Sequence, residues 1–190
     1  MNGPDVSWAE QAFSPNETYT VLYDLAYGTA AEHAIVELGT FYGASAIALG
    51  QGARDGSGAR VWSVDPHDLP GYRTTTGTGT VPSDKRVDYT DPRIRESAAR
   101  AIERAGLSEQ VTLIQGFSED VGLSWSGPGV GLLYIDGDHR QGAVRRDYAA
   151  WERRLIPEAV VVFDDYRAQF PGVIAVVAQL VEKGLLEEPY

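Results

Sequence analysis

Apolar residues along the chain gather in five short runs, and the stretches between them carry helical rather than alternating spacing. The runs are residues 34–38 (AIVEL), 60–65 (RVWSVD), 110–114 (QVTLI), 130–136 (VGLLYID) and 159–163 (AVVVF), each short and β-branched enough to predict a buried strand. Residues 16–30 place Val21, Leu22, Leu25 and Ala26 on one side of a helix. Further helices are predicted over 43–53, from Asp91-Pro92 to 105 with Gly106 as the stop, over 141–155, and over 172–183 ended by Gly184. Strand and helix in alternation predict an α/β fold: a Rossmann-like, doubly wound, mostly parallel sheet with helices on both faces. Ligands of such sheets sit beyond the carboxyl ends of the strands, and three strands here run into acids: Asp65, Asp136 and Asp164.

One connection breaks the rhythm. More than forty residues separate the second and third strands, and residues 67–90 are rich in Thr, Gly and Asp. A loop of that length in a compact domain is either a functional lid or a disordered segment. The rest of the 190 residues reads as a single domain, 1–190.

Composition narrows the chemistry. There is no cysteine, which removes disulfides, thiolate metal sites and cysteine nucleophiles. The formal charge of −11 disfavours nucleic acid and anionic membrane as partners. No signal-like leader and no apolar run of bilayer length stands in the sequence, so a cytoplasmic location is expected. An acidic balance otherwise signals solubility, unless some carboxylates cluster around a cation.

Glu37-Leu-Gly-Thr-Phe-Tyr-Gly-Ala-Ser45 follows the first strand and opens a helix. Gly39 and Gly43 allow a tight turn and close backbone approach to a ligand, and the helix start offers unpaired N–H groups. The spacing is G-x-x-x-G, not the dinucleotide fingerprint G-x-G-x-x-G. Asp65 ends the second strand 26 residues after Gly39, where an acid can accept bonds from both ribose hydroxyls of a nucleoside; a helix cap would leave the same residue. Asp136-Gly-Asp-His139 ends the fourth strand and Asp164-Asp165 the fifth. Carboxylates converging from neighbouring strands repel unless a cation sits between them, and all-oxygen ligation suits Mg²⁺, Mn²⁺ or Ca²⁺. Helix capping competes with this reading, most strongly at Asp138.

E-x-G-x-x-x-G-x-S, an acid ending the second strand, I-D-G-D-H and F-D-D together resemble the class I S-adenosylmethionine-dependent methyltransferases. The likeness is strongest to a small bacterial group of metal-dependent sugar O-methyltransferases and cephalosporin-hydroxylase-like proteins, and it runs from about residue 34 to 165. The resemblance implies S-adenosylmethionine as cofactor, with Glu37, Gly39, Tyr42, Gly43 and Ser45 at its methionine end, Asp65 on the ribose, Gly116, Phe117 and Ser118 flanking the adenine, and Asp136 bordering the cofactor. It implies Mg²⁺ or Mn²⁺ on Asp136, Asp164 and Asp165, whose 28-residue separation of first from second ligand agrees with such relatives. His139 falls where they keep a general base.

Two departures stand out. Pro157-Glu158-Ala159 replaces a glycine pair before the fifth strand, and the chain reaches Tyr190 without the usual antiparallel strand pair. A shorter sheet, or a homodimer covering that edge, would accommodate the second. The expected reaction is transfer of a methyl group to a hydroxyl of a sugar or sugar-containing metabolite or oligosaccharide. Tyr19, Tyr72, Arg73, Tyr166 and Arg167 are the acceptor-side candidates. A catechol or other phenol is the alternative acceptor, and a non-catalytic nucleoside-binding module the alternative of another class.

Overall fold

The computed structural model describes residues 3–12, 14–67, 91 and 93–189. The expected lid therefore lies outside the described residues from position 68 to 90, together with Tyr72 and Arg73.

Five strands form the sheet: β1 (Ala34–Leu38), β2 (Arg60–Asp65), β3 (Val111–Gln115), β4 (Val130–Ile135) and β5 (Leu155–Phe163). Their spatial order is β3-β2-β1-β4-β5, and every pairing is parallel. The order reverses between β1 and β4, which opens a crevice beyond their carboxyl ends. Strand alternation divides the core. Ile35 faces one layer with Leu22, Ile47, Leu49 and Tyr134, while Ala34, Val36 and Leu38 face the other with Leu133, Val144 and Trp151.

Among the described residues, six α-helices cover the two faces: α1 (Asn16–Gly28), α2 (Ala44–Asp55), α3 (Arg93–Arg104), α4 (Ser118–Ser124), α5 (Gln141–Trp151) and α6 (Pro171–Glu182). The sequence pattern anticipates all of them except α4. That helix has only seven residues, too few to display a helical repeat. Helix α1 lies almost backbone to backbone on α2, because a Cβ at Gly52 would stand 2.1 Å from the Tyr23 carbonyl oxygen.

The fifth strand begins earlier than its apolar run. Leu155 pairs with Val130, and pairing resumes only at Val160 with Leu132. The intervening bulge carries Pro157 and places Glu158 at φ 65°. Pro157 is tolerated because β5 is an edge strand with one described neighbour. The Pro-Glu-Ala departure is thus a bulge, and among the described residues no antiparallel strand follows it. No described helix is long and apolar enough to cross a membrane.

Candidate active site

The glycine loop after β1 is shaped by the strand next to it. Gly39 has φ 103°, and a Cβ there would lie 2.2 Å from the Asp136 carbonyl oxygen. Only glycine lets the ends of β1 and β4 meet this closely. Gly43, at φ 85°, is the N-cap of α2, and a Cβ there would touch Ala98 of α3 at 3.4 Å. Tyr42 stacks edge-on with Phe41, their ring centroids 4.5 Å apart. Burial, with Glu10 and Asp91 adding to it, raises the Tyr42 hydroxyl pKa.

Asp65 is tied into the loop beside it. Its Oδ2 accepts the main-chain N–H groups of Thr40 (2.8 Å) and Phe41 (3.1 Å), and its Oδ1 accepts that of His67 (2.7 Å). The carboxylate is buried and clamps the glycine loop to the end of β2. A contact to ribose would have to use the lone pairs these bonds leave over. His67 sits beside it, buried, with Nδ1 3.5 Å from Oδ1.

Glu37 is fully buried on β1. Its Oε2 accepts the Ser63 hydroxyl, which in turn lies 2.5 Å from the Thr40 hydroxyl. Burial pushes its pKa up to about 8, against the pull of Ser45 and Ser63. Oε1 has no hydrogen-bond partner among the described residues. A buried acceptor left open at a strand end is costly without a ligand to meet it.

The ends of β4 and β5 bring Asp136, His139 and Asp164 together, one ligand atom from each lying within 4.8 Å of the others. His139 Nε2 stands 3.7 Å from Asp136 Oδ1 and 3.2 Å from Asp165 Oδ2, yet makes no well-directed hydrogen bond to either. The third expected ligand, Asp165, is engaged elsewhere. It sits at φ 55°, pairs with Arg167 and faces His139. Arg167 in turn lies over the Phe170 ring at 5.2 Å. Burial raises Asp136 to about 7; His139 draws it down and Asp164 pushes it up. Burial also opposes a charge on His139, but Asp136, Asp165 and Asp164 outweigh it and raise its pKa. Burial and mutual repulsion thus oppose full charge on these carboxylates, a conflict that a cation would relieve. Asp138 behaves as a turn former, accepting the Arg140 N–H at 2.9 Å.

The turn Gly116–Phe117–Ser118 opens α4 beside this crevice. Phe117 is exposed, and the Ser118 hydroxyl bonds Asp147. On the other side Tyr19 is buried, and its hydroxyl accepts the Ser14 N–H at 3.2 Å. Burial, then the charges of Asp136 and Asp164, raise the Tyr19 pKa, which places its ring at the border of the cluster. Tyr166 is exposed. A groove of about 310 Å³ between α1 and β5 is lined by Glu17, Val21, Leu22, Val162, Phe163 and Asp164.

Residues 36–166 match the family described as a methyltransferase domain. The chain belongs to that family. It is an S-adenosylmethionine-dependent methyltransferase. Solved structures agree on the fold. Cofactor-bound Rv0187 from MTB is 19% identical, with a TM-score of 0.64 over 94% of this chain and 73% of that one. The O-methyltransferase TomG from Streptomyces achromogenes, involved in tomaymycin synthesis and solved with SAM, is 20% identical, with a TM-score of 0.61 over 90% and 70%. CalS11, a calicheamicin methyltransferase, is 15% identical, with a TM-score of 0.62 over 92% and 73%.

Several residues of the methyltransferase site have no signal of their own in the sequence. Ser63 and Thr40 reach Glu37 and Asp65 across strands, and Asp147 reaches Ser118 across helices. Serines and acids of this kind look like any solvated position until the fold pairs them. Only the period-2 placement of Ser63 on β2, pointing to the same face as Val61 and Asp65, hinted that it is buried.

Proposed function

We propose that the protein is a divalent-cation-dependent O-methyltransferase acting on a hydroxyl of a sugar or sugar-containing metabolite. The convergence of Asp136, His139 and Asp164 beside the cofactor crevice carries this reading. Two carboxylates that converge on one point and repel one another fit a hard divalent cation, Mg²⁺ or Mn²⁺. When bound, such a cation lowers the pKa of a hydroxyl placed on it.

The chain's own residues do the rest. Asp65 fixes the glycine loop, and the open Oε1 of Glu37 suits the ammonium at the methionine end of S-adenosylmethionine. Asp136 and Asp164 are assigned to the cation. His139 is assigned the acceptor's proton, since a hard cation prefers oxygen to imidazole. Asp165, set against His139 and tied to Arg167, is then a support that orients the imidazole. Holding the acceptor oxygen in line with the methyl group supplies the remainder, a positioning effect of up to about 7–11 kcal/mol.

The groove beside Asp164 favours a second acceptor class. Val21, Leu22, Val162 and Phe163 are apolar walls that suit an aromatic ring, and so a catechol or other phenol. A labelled-methyl transfer assay against vicinal sugar diols and catechols, with and without EDTA, decides among these. Turnover that EDTA leaves untouched removes the cation; turnover only on catechols removes the sugar. His139→Ala separates its two conceivable roles. Loss of turnover with Mg²⁺ affinity kept marks a base, and loss of Mg²⁺ affinity marks a ligand.

A further inference from the structure

Helix α5 grips the first residue of α4 twice. The Ser118 hydroxyl donates to Asp147, and one helical turn later Trp151 Nε1 donates to the Ser118 carbonyl at 3.0 Å. Asp147 and Trp151 are four residues apart and therefore share one face of α5. Gly122 leaves room for this grip, since a Cβ there would stand 2.8 Å from Trp151 Nε1. Asp147 also reaches the other side of the crevice. A Cβ at Gly137, just past β4, would lie 3.5 Å from its Oδ2. One half-buried carboxylate thus underlies both the turn after β3 and the turn after β4, and α5 itself starts directly after His139 and Arg140.

We propose that Asp147 is a positioning residue for the cofactor: through Ser118 it sets the distance between the Gly116–Ser118 turn and the β4 end, and so the width of the slot that takes the adenine. The proposal rests on the reading of that turn as the wall of the adenine site. The charged groups facing Asp147 are Glu119 of α4 and Asp138 of the β4 loop, which disfavour its charge, and Arg146 of α5, which favours it. Burial pushes Asp147 up to about 6, with the bond from Ser118 drawing it back.

The test is S-adenosylhomocysteine binding by calorimetry, with steady-state kinetics, on Asp147→Ala, Asp147→Asn, Ser118→Ala and the Asp147→Ala/Ser118→Ala pair. Asp147→Ala is expected to weaken binding and raise KM for S-adenosylmethionine about tenfold, with a smaller loss in kcat. Asp147→Asn, which keeps an acceptor for Ser118, restores affinity to within about threefold. The double variant is no worse than either single one, because both cut the same bond. Additive losses, or a fall in melting temperature with KM unchanged, overturn the proposal. Should Asp147→Ala fail to fold, Ser118→Ala alone and with Asp147→Asn carry the same comparison. Phe117→Ala tests the underlying reading. If it weakens binding and Asp147→Ala does not, Asp147 has no such role; if neither does, the turn is not the adenine wall.

Discussion

The two halves of the crevice hold their carboxylates in opposite ways. At the ends of β1 and β2, Asp65 takes three main-chain N–H groups and Glu37 takes a serine hydroxyl, so the loop stands preformed. At the ends of β4 and β5, Asp136 and Asp164 face one another with a histidine whose Nε2 has no well-directed partner. The first half is held by neutral donors, with one oxygen of Glu37 left open, while in the second His139 is the cationic group set among the carboxylates. The difference teaches that main-chain donors preform the loop at β1 and β2, whereas the carboxylates at β4 and β5 converge without such donors, as the proposed cation site requires.

The comparison breaks most visibly at Asp164. Asp164→Ala is expected to lower turnover by about a thousandfold and to abolish its dependence on Mg²⁺, the scale of a lost Lewis acid. Unchanged turnover and unchanged Mg²⁺ titration would show that no cation works there. S-adenosylhomocysteine affinity should move little, because the preformed half is untouched.

Glu37 tests the other half by pH. Its folded pKa is raised from 4.5 to about 8, so the native state disfavours the charge. Below the unfolded value the carboxyl is neutral in both states and carries no penalty. As pH rises from about 4.5 to 8 the native state loses stability through this group, and above that the loss is constant. Glu37→Gln escapes the loss. In cofactor-free protein its advantage in denaturant melts should grow from near zero to on the order of 5 kcal/mol across that window. An advantage that shrinks with pH would mean that the ionised carboxylate is the stabilised form.

Gly39→Ala comes next. The added methyl meets the Asp136 carbonyl at 2.2 Å and forces a left-handed backbone on alanine. A loss of about 2–3 kcal/mol is expected, seen as a melting temperature lower by about 4–12 °C. A melting temperature within a degree of the parent would show that the two strand ends are not in contact. The smallest effect belongs to Arg167→Ala. Its partner Asp165 is mostly buried but Arg167 itself is exposed, so the pair is screened. Turnover should fall a few-fold, about 2–5, with cofactor KM unchanged; a raised cofactor KM would place Arg167 in the wrong half.

The residues differ in how far the sequence disclosed them. Gly39, Asp65, Asp136 and Asp164 were legible because they sit at strand ends, and strand ends follow from apolar runs. Asp165 points away from Asp164 for a physical reason. Neighbouring residues in a chain are free to point apart, and its positive φ turns it to Arg167 and His139 while Asp164 faces Asp136. Helix α4 was too short to show a period, and the β5 bulge around Pro157 hid the first four residues of the strand, Leu155 to Glu158.

The apolar pattern by itself determined the five strands, the order of every helix but α4, and which acids end strands, because burial repeats every two residues in a strand and every three to four in a helix. Tertiary structure alone decided the partners: that Asp65 clamps a loop, that Glu37 keeps one oxygen open, that Asp147 grips Ser118 across two helices. Hydrogen bonds between residues 24 to 33 positions apart leave no trace in local spacing, since they depend on where packing sets two backbones a few ångströms from each other.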